Sequence, residues 1–330
     1  MNRGFWDKLK KPIMALAPMA NVTDAAFRHM IAKHGKPDVF WTEFVSTDGL
    51  MSEGREKLLV DFWFGEDEHP IVAQIFGAHP ENFFQVAKMI QELGFDGIDI
   101  NMGCPEKSIQ KQGSCAALIG NPQLAAEIIQ ATKEGAGNLP VSVKTRIGLS
   151  KITLEEWLGF LLKQDLAAIT LHLRTRKEMS DVPAHWELMP QAVAMVKATP
   201  ANRRPLLLGN GDITTLTEAE KKCLETGCDG IMIGRGIFGN PWMFNRESPI
   251  DKIPISKRLE AMIEHTKLFE EKFSNLKIGG KNFEVMRKHY KAYVNGFDGA
   301  KELRMKLMEA NNAAEVESIV KSSSLIPPQT

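Results

Sequence analysis

Eight short apolar segments alternate with longer amphipathic segments over about the first 245 residues of this 330-residue chain. Such alternation is typical of parallel β-strands that are each followed by a covering helix. Since eight βα units in about 250 residues fit a (β/α)8 barrel, we predict an α/β fold with a TIM barrel. The predicted strands are residues 13–17, 39–44, 71–76, 97–100, 141–145, 168–172, 206–209 and 230–233.

Proline and glycine mark the ends of the helices that we predict at residues 80–93, 122–134, 153–164 and 217–226. Pro80 and Pro122 occupy the first turn, where proline is tolerated, and Gly94 and Gly227 follow the last turn. The competing architecture is an open doubly wound sheet. No G-x-G-x-x-G sequence follows the first strand, so the barrel is favoured.

The sequence changes character after Pro254, where Lys and Glu become frequent and apolar residues recur at helical spacing. We predict a barrel domain of residues 1–246, a smaller all-helical domain of residues 254–321 and a flexible tail of residues 322–330. Pro249 and Pro254 interrupt regular structure between the two domains.

Charge and cysteine content exclude several protein classes. The chain has 41 Lys and Arg against 41 Asp and Glu, so no overall field draws it to nucleic acid or an anionic membrane. Its four cysteines lack metal-site spacing, and no metal is expected. Lysines precede an apolar run at residues 13–20, as in a signal peptide, but Pro18 breaks that run and a buried strand is favoured. We expect no membrane segment and a cytoplasmic protein.

Polar or conformationally special residues follow every predicted strand. In a barrel, the carboxyl ends of the strands surround the active site. A single polar residue at a strand end more often forms a hydrogen bond within its loop than binds a ligand. Polar or special residues after all eight strands together indicate one shared site. In chain order they are Pro18 and Met19, Glu43, Gln74, Asn101, Lys144, His172, Asn210-Gly211-Asp212, and Gly234-Arg235-Gly236.

The residues after strands seven and eight indicate a phosphate-bearing ligand. Backbone N–H groups of these two loops often bind phosphate in barrels, and Arg235 adds a positive charge, although glycines also simply form tight turns. Lys144 and His172 would stabilise negative charge on a bound ring, and the amides of Gln74 and Asn101 would form hydrogen bonds with the edges of that ring. Together these features suggest FMN.

Cys104 lies on a Gly- and Pro-bounded loop directly after strand four. A cysteine is more often a small buried residue, but this position favours a reactive thiol that acts as a general acid. Cys115, Cys223 and Cys228 lack such a setting and are assigned to packing.

Ten segments that extend to about Leu307 match one known family. They are Ala17-Pro18-Met19-Ala20, Thr42-Glu43-Phe44-Val45, Gln74-Ile75-Phe76-Gly77, Asp99-Ile100-Asn101-Met102-Gly103-Cys104-Pro105, Lys144-Thr145-Arg146, Leu171-His172-Leu173-Arg174-Thr175-Arg176, Asn210-Gly211-Asp212-Ile213, Ile233-Gly234-Arg235-Gly236, Met286-Arg287-Lys288-His289 and Gly299-Ala300-Lys301-Glu302-Leu303-Arg304. The chain resembles the tRNA-dihydrouridine synthases, flavin enzymes that reduce uridines in tRNA.

The resemblance implies an FMN barrel followed by a tRNA-binding helical domain, with NADPH or NADH as electron donor. Reduced FMN would pass hydride to C6 of uracil, and Cys104 would protonate C5. Asn101 and Arg174 would hold the base. The implied FMN-binding residues are Pro18, Met19, Ala20, Gln74, Lys144, His172, Asn210, Gly211, Asp212, Gly234 and Arg235.

A uracil must leave its stack to enter a barrel, so a surface must hold the surrounding RNA. Residues 272–306 contain nine Lys and Arg against three Asp and Glu, and we assign Arg287 and Lys288 to RNA binding. Tyr290 and Tyr293 either stack on bases or pack in the core. We expect a monomer.

Some positions depart from the family pattern. Leu173 stands in place of glycine, Ser108 in place of lysine and Cys115 in place of a small residue. If Cys104 and Cys115 approach each other, oxidative inactivation is conceivable. The alternative functions are an FMN barrel reductase that acts on a free pyrimidine or enone, and a catalytically silent RNA-binding barrel.

Overall fold

Eight parallel strands form one sheet in the computed structural model, which describes residues 2–274 and 276–323. The strand order is β1-β8-β7-β6-β5-β4-β3-β2, and a parallel bridge between Ala15 and Val39 connects the two edges. The predicted (β/α)8 barrel is confirmed. The strands are β1 (Ile13–Leu16), β2 (Phe40–Ser46), β3 (Ile71–Phe76), β4 (Gly97–Met102), β5 (Val141–Arg146), β6 (Ala168–His172), β7 (Leu206–Asn210) and β8 (Gly230–Ile233).

Helices cover the outside of the barrel, and local capping explains several of their ends. Asp24, Asn121 and Thr215 each accept backbone N–H bonds at the start of a helix, and Gly227 ends one at a φ of 74°. These helices are α1 (Ala25–Gly35), α2 (Thr47–Leu50), α3 (Arg55–Leu58), α4 (Pro80–Glu92), α5 (Lys107–Gln110), α6 (Pro122–Gly135), α7 (Leu154–Leu161), α8 (Met189–Ala198) and α9 (Leu216–Thr226).

The floor of the barrel is closed by the N-terminal segment. Trp6 lies in a 3₁₀ helix (Gly4–Lys8), is 2% exposed and has its ring 5.8 Å from that of Trp41. The apolar run that has a signal-peptide outline contributes Ile13 and Ala15 to this core. A closed floor leaves the opposite end of the barrel, where the strands terminate, as its open mouth.

In the described part of the chain four further helices follow the barrel, and the first two of them contact α1. Ring contacts join Phe27 of α1 to His265 and His289 at centroid distances of 4.9 Å each. Whether this region is a separate domain stays a prediction. The helices are α10 (Ile255–Phe269), α11 (Met286–Tyr293), α12 (Ala300–Leu307) and α13 (Ala313–Lys321).

The end of the chain is only partly described. Ser322 and Ser323 donate backbone N–H bonds to α13, and the rest of the predicted tail, residues 324–330, lies outside the described residues. None of the helices in the described part of the chain is long and apolar enough to span a membrane.

Candidate active site

A cavity of about 540 Å³ lies at the carboxyl ends of the barrel strands. Cys104, Asn101 and Arg174 line it, whereas Ala20 is not part of the lining. Arg287 and Lys288 lie on α11, away from this wall. The remaining residues that we assigned to FMN all line the cavity: Pro18, Met19, Gln74, Lys144, His172, Asn210, Gly211, Asp212, Gly234 and Arg235.

A chain of buried hydrogen bonds leads from the barrel interior to Cys104. Gln74 donates through Nε2 to Asp99 (2.7 Å), and its Oε1 accepts from Asn101 Nδ2 (3.0 Å). The Oδ1 of Asn101 accepts the backbone N–H groups of Gly103 (3.0 Å) and Cys104 (2.9 Å). Asn101 therefore fixes the start of the loop that carries the thiol.

The Cys104 thiol lies in a setting that favours its ionisation. A hydrogen bond from Cys115 and, to a smaller degree, the positive charge of Arg146 lower the pKa of Cys104 to about 7. Cys115 is buried and has a backbone φ of 56°. Burial and, to a smaller degree, the neighbouring Cys104 raise the pKa of Cys115 well above its ordinary value, and its assignment to packing stays a prediction.

Lys144 and His172 stand on neighbouring strands and face the cavity. Lys144 Nζ donates to Asn210 Oδ1 (3.3 Å), and burial lowers the pKa of Lys144 to about 8. Burial and the surrounding cations hold the pKa of His172 well below its ordinary value, so the ring is neutral. Arg174 donates to His172 Nε2 (3.2 Å), which leaves the ring proton on Nδ1.

Asp212 connects the two glycine-rich loops. It binds the guanidinium of Arg174, while Arg235 Nη2 lies 2.8 Å from its other oxygen. Arg174 is 2% exposed and also donates to the Val182 carbonyl (2.7 Å). These contacts hold Arg174 in place, and its predicted contact with the base stays a prediction.

Arg146 is a site residue that the strand-end analysis missed. It donates to the carbonyls of Gly103 (2.8 Å), Thr175 (3.0 Å) and Met179 (3.1 Å), and so joins the loops after β4 and β6. Side chains two apart on a strand share a face, so the prediction of Lys144 at the mouth already implied Arg146.

The basic segment 272–306 is less exposed than its composition suggests. Tyr290 and Tyr293 are fully buried, which excludes stacking on bases and leaves core packing. The Lys281 side chain is only 9% exposed, and Arg287 forms an ion pair with Glu284 (2.8 Å). Several lysines of the segment remain exposed, namely Lys277, Lys291, Lys301 and Lys306.

A closed barrel with a polar, cation-lined cavity at its mouth defines the chain as a barrel enzyme. Similar folds occur in histamine dehydrogenase from Rhizobium sp. 4-9 (TM-score 0.51, 12% identity, 78% of this chain and 49% of that one). A similar fold also occurs in 6-hydroxypseudooxynicotine amine oxidase from Pseudomonas geniculata N1 (TM-score 0.51, 12% identity, 70% of this chain and 46% of that one). These likenesses concern the fold.

The sequence identifies the family. The model of the dihydrouridine synthase (Dus) family matches residues 15–325. A probable tRNA-dihydrouridine synthase of Staphylococcus aureus strain Mu50 is 43% identical over 323 residues, 97% of this chain and 95% of that protein. The probable tRNA-dihydrouridine synthase 2 of Bacillus subtilis strain 168 is also 43% identical, over 97% of this chain and 96% of that protein. The chain belongs to the dihydrouridine synthase family and is an oxidoreductase.

Proposed function

We propose that this protein reduces the C5–C6 double bond of specific uridines in tRNA, with FMN as cofactor and NADPH or NADH as electron donor. The observation that carries the proposal is the position of Cys104, which Asn101 holds at the rim of a cavity lined by ten of the eleven predicted FMN-binding residues. Family membership over residues 15–325 supports the same reaction.

The residues of the cavity fit an anionic cofactor. Its wall contains four Lys and Arg side chains, Lys144, Arg146, Arg174 and Arg235, against the single carboxylate of Asp212. Its volume of about 540 Å³ is in the range of cofactor pockets. The loops after β7 and β8 would hold the phosphate, with Arg235 beside it, and Lys144 and His172 would contact the ring.

FMN reduced by NADPH or NADH would, when bound, supply hydride to C6 of the uracil. The Cys104 thiol gives its proton to C5, and hydride and proton together saturate the double bond. A pKa of about 7 allows the thiol to lose and regain that proton near neutral pH. Asn101 orients the loop, and Arg174 holds the base.

Access of a folded tRNA requires that the target uridine leave its stack. We propose that the helical region, residues 254–321, binds the surrounding RNA, with Arg287 and Lys288 among the contacting residues. Lys288 is half-buried and lies on α11 three positions before the exposed Lys291. The enzyme acts as a cytoplasmic monomer.

The decisive experiment is anaerobic stopped-flow absorbance of the purified protein, reduced with NADPH and mixed with unmodified tRNA. Rapid flavin reoxidation by tRNA, absent with free uridine, is expected. Flavin that reoxidises only with free pyrimidines or enones indicates a small-molecule reductase instead, and a protein without flavin contradicts the cofactor assignment.

A matched pair of variants tests the role of the thiol. Cys104→Ala is expected to abolish dihydrouridine formation, measured by mass spectrometry of digested tRNA, and to retain flavin and tRNA affinity. Cys223→Ala removes a buried cysteine outside the cavity and is expected to remain active. An active Cys104→Ala enzyme contradicts the proton-donor assignment.

A further inference from the structure

Lys281 occupies an unusual position for a lysine in the basic segment. Its side chain is only 9% exposed, and Nζ contacts the carboxylates of Glu43 and Asp61, the latter at 2.7 Å. Nζ also lies 5.3 Å from the ring centre of Phe273. Lys281 follows α10, whereas Glu43 and Asp61 belong to the barrel, so this ion pair joins the two regions.

The second carboxylate oxygen of Glu43 reaches the loop after β1. It accepts the backbone N–H of Asn21, which directly follows Pro18, Met19 and Ala20. Asn21 has a φ of 54°, a left-handed conformation that asparagine adopts more readily than most residues other than glycine. The bond from Glu43 satisfies the backbone N–H of Asn21 and so helps to hold the loop in this conformation.

A bulge in β2 explains how Glu43 reaches this loop. Pairing with β3 shifts register between Trp41 and Phe44, so that β2 contains one extra residue there. Bulges redirect side chains next to active sites. Here Phe44 lines the cavity, and the Glu43 carboxylate lies between Asn21 and Lys281.

The charge balance around Glu43 depends on Lys281. Asp24 and Asp61 lie close enough to interact with the same ammonium group, and Asp24 Oδ2 has no hydrogen-bond partner. Arg28 also interacts with Asp24, although its guanidinium is hydrogen-bonded to the buried carboxylate of Glu68. Without Lys281, Lys288 would be left as the cation that interacts with Glu43, and repulsion among the three carboxylates would make Glu43 shift or take up a proton.

We propose that Lys281 is a positioning residue for the flavin site, which acts through Glu43 to hold the loop after β1 in its cavity-lining conformation. The identity of the ligand rests on the proposed function. The helical region thus contributes to cofactor binding without touching the cavity, since Lys281 is not among the lining residues.

The test compares Lys281→Met with Lys33→Met. Lys33 forms an ion pair with Glu264 that also joins the barrel to α10, but it is half exposed and away from the loop. Lys281→Met is expected to raise the FMN dissociation constant at least tenfold, measured by fluorescence titration of flavin-free protein. It is also expected to accelerate amide hydrogen exchange in the peptide that contains Asn21. Lys33→Met should change neither quantity.

A rescue variant separates positioning from general destabilisation. In Lys281→Met/Glu43→Gln, the amide oxygen still accepts the Asn21 N–H, and position 43 carries no charge for Asp24 and Asp61 to repel, so FMN affinity should largely recover. Unchanged FMN affinity and Asn21 exchange in Lys281→Met overturn the proposal, as does exchange that accelerates equally in β5. A wild-type protein that binds no FMN contradicts the proposed function, while the exchange comparison still decides the positioning role.

Discussion

At the scale of single residues, the chemistry of the site depends on how Cys104 is held. Asn101 binds the backbone N–H of Cys104, and Arg146 binds the carbonyl of the preceding Gly103. The largest influence on the thiol is the hydrogen bond with Cys115, which lowers the pKa of Cys104. We therefore expect Cys115 to tune the proposed proton donor.

We predict that Cys115→Ala raises the pKa of Cys104 above its value of about 7, because the thiolate loses its hydrogen-bond donor. The measurement is the pH dependence of iodoacetamide alkylation, followed by mass spectrometry of the Cys104 peptide. Cys115→Ser retains a donor and should keep the low pKa. Identical alkylation profiles for the alanine variant and wild type would show that Cys115 has no such influence.

At the scale of elements, the loop after β7 depends on a glycine. Gly211 has a φ of 135°, and a Cβ there would lie 2.7 Å from Cβ of Ala184. The same loop carries Asp212, which binds both Arg174 and Arg235. A displaced loop would therefore disturb the proposed phosphate site.

We predict that Gly211→Ala weakens FMN binding at least tenfold and lowers the free energy of unfolding by about 1–3 kcal/mol. Gly94→Ala is the matched control, because Gly94 also has a positive φ (84°) but faces open space. The free energy of unfolding of Gly94→Ala should decrease by about 1 kcal/mol, and its FMN affinity should be unchanged. The measurements are flavin titration and urea unfolding, and equal FMN affinity in both variants would rule out the loop's role.

Some elements could be predicted better than others, because local interactions produce a pattern in the sequence and interactions between distant residues do not. The apolar alternation located all eight strands, and β3, β6 and β8 have the predicted bounds. The bulge in β2 was invisible, since it depends on pairing with β3. Lys281 was counted as a surface cation, because Glu43 lies 238 positions away and only the fold brings them together.

At the scale of the whole molecule, a chain without net charge exposes several lysines in its helical region. The exposed Lys301 and Lys306 lie on α12 in the proposed tRNA-binding region. We predict that Lys301→Glu/Lys306→Glu weakens tRNA binding at least tenfold and reduces its salt dependence by about one unit per lost phosphate contact. Filter binding at several salt concentrations measures both. Lys8→Glu/Lys10→Glu makes the same charge change at the floor of the barrel, and equal losses in the two variants would contradict a localised RNA surface.

The interface between the barrel and the helical region contains two buried histidines, which makes its stability depend on pH. His265 and His289 are fully buried, their ring centroids are 4.6 Å apart, and none of their ring nitrogens has a hydrogen-bond partner in the described structure. Burial holds the pKa of His265 well below its ordinary value and lowers that of His289 to about 3. The unfolded chain binds protons at these rings at a higher pH than the folded chain does.

The free energy of unfolding should therefore fall as pH decreases below 6.5, the ordinary histidine pKa. The two rings together account for a loss of about 2 kcal/mol between pH 6.5 and 5.5. Urea unfolding of wild type and of His265→Leu/His289→Leu gives the free energy of unfolding at both pH values. The decrease in wild type minus the decrease in the double variant is the loss due to the two rings. Glu43 and Asp99 have raised pKa values, so their contribution to the free energy of unfolding increases as pH decreases. Because all the compared proteins retain both carboxyl groups, this contribution cancels in the difference. With the half-exposed His29→Leu as control, equal slopes in all three proteins would show that the buried pair does not govern acid sensitivity.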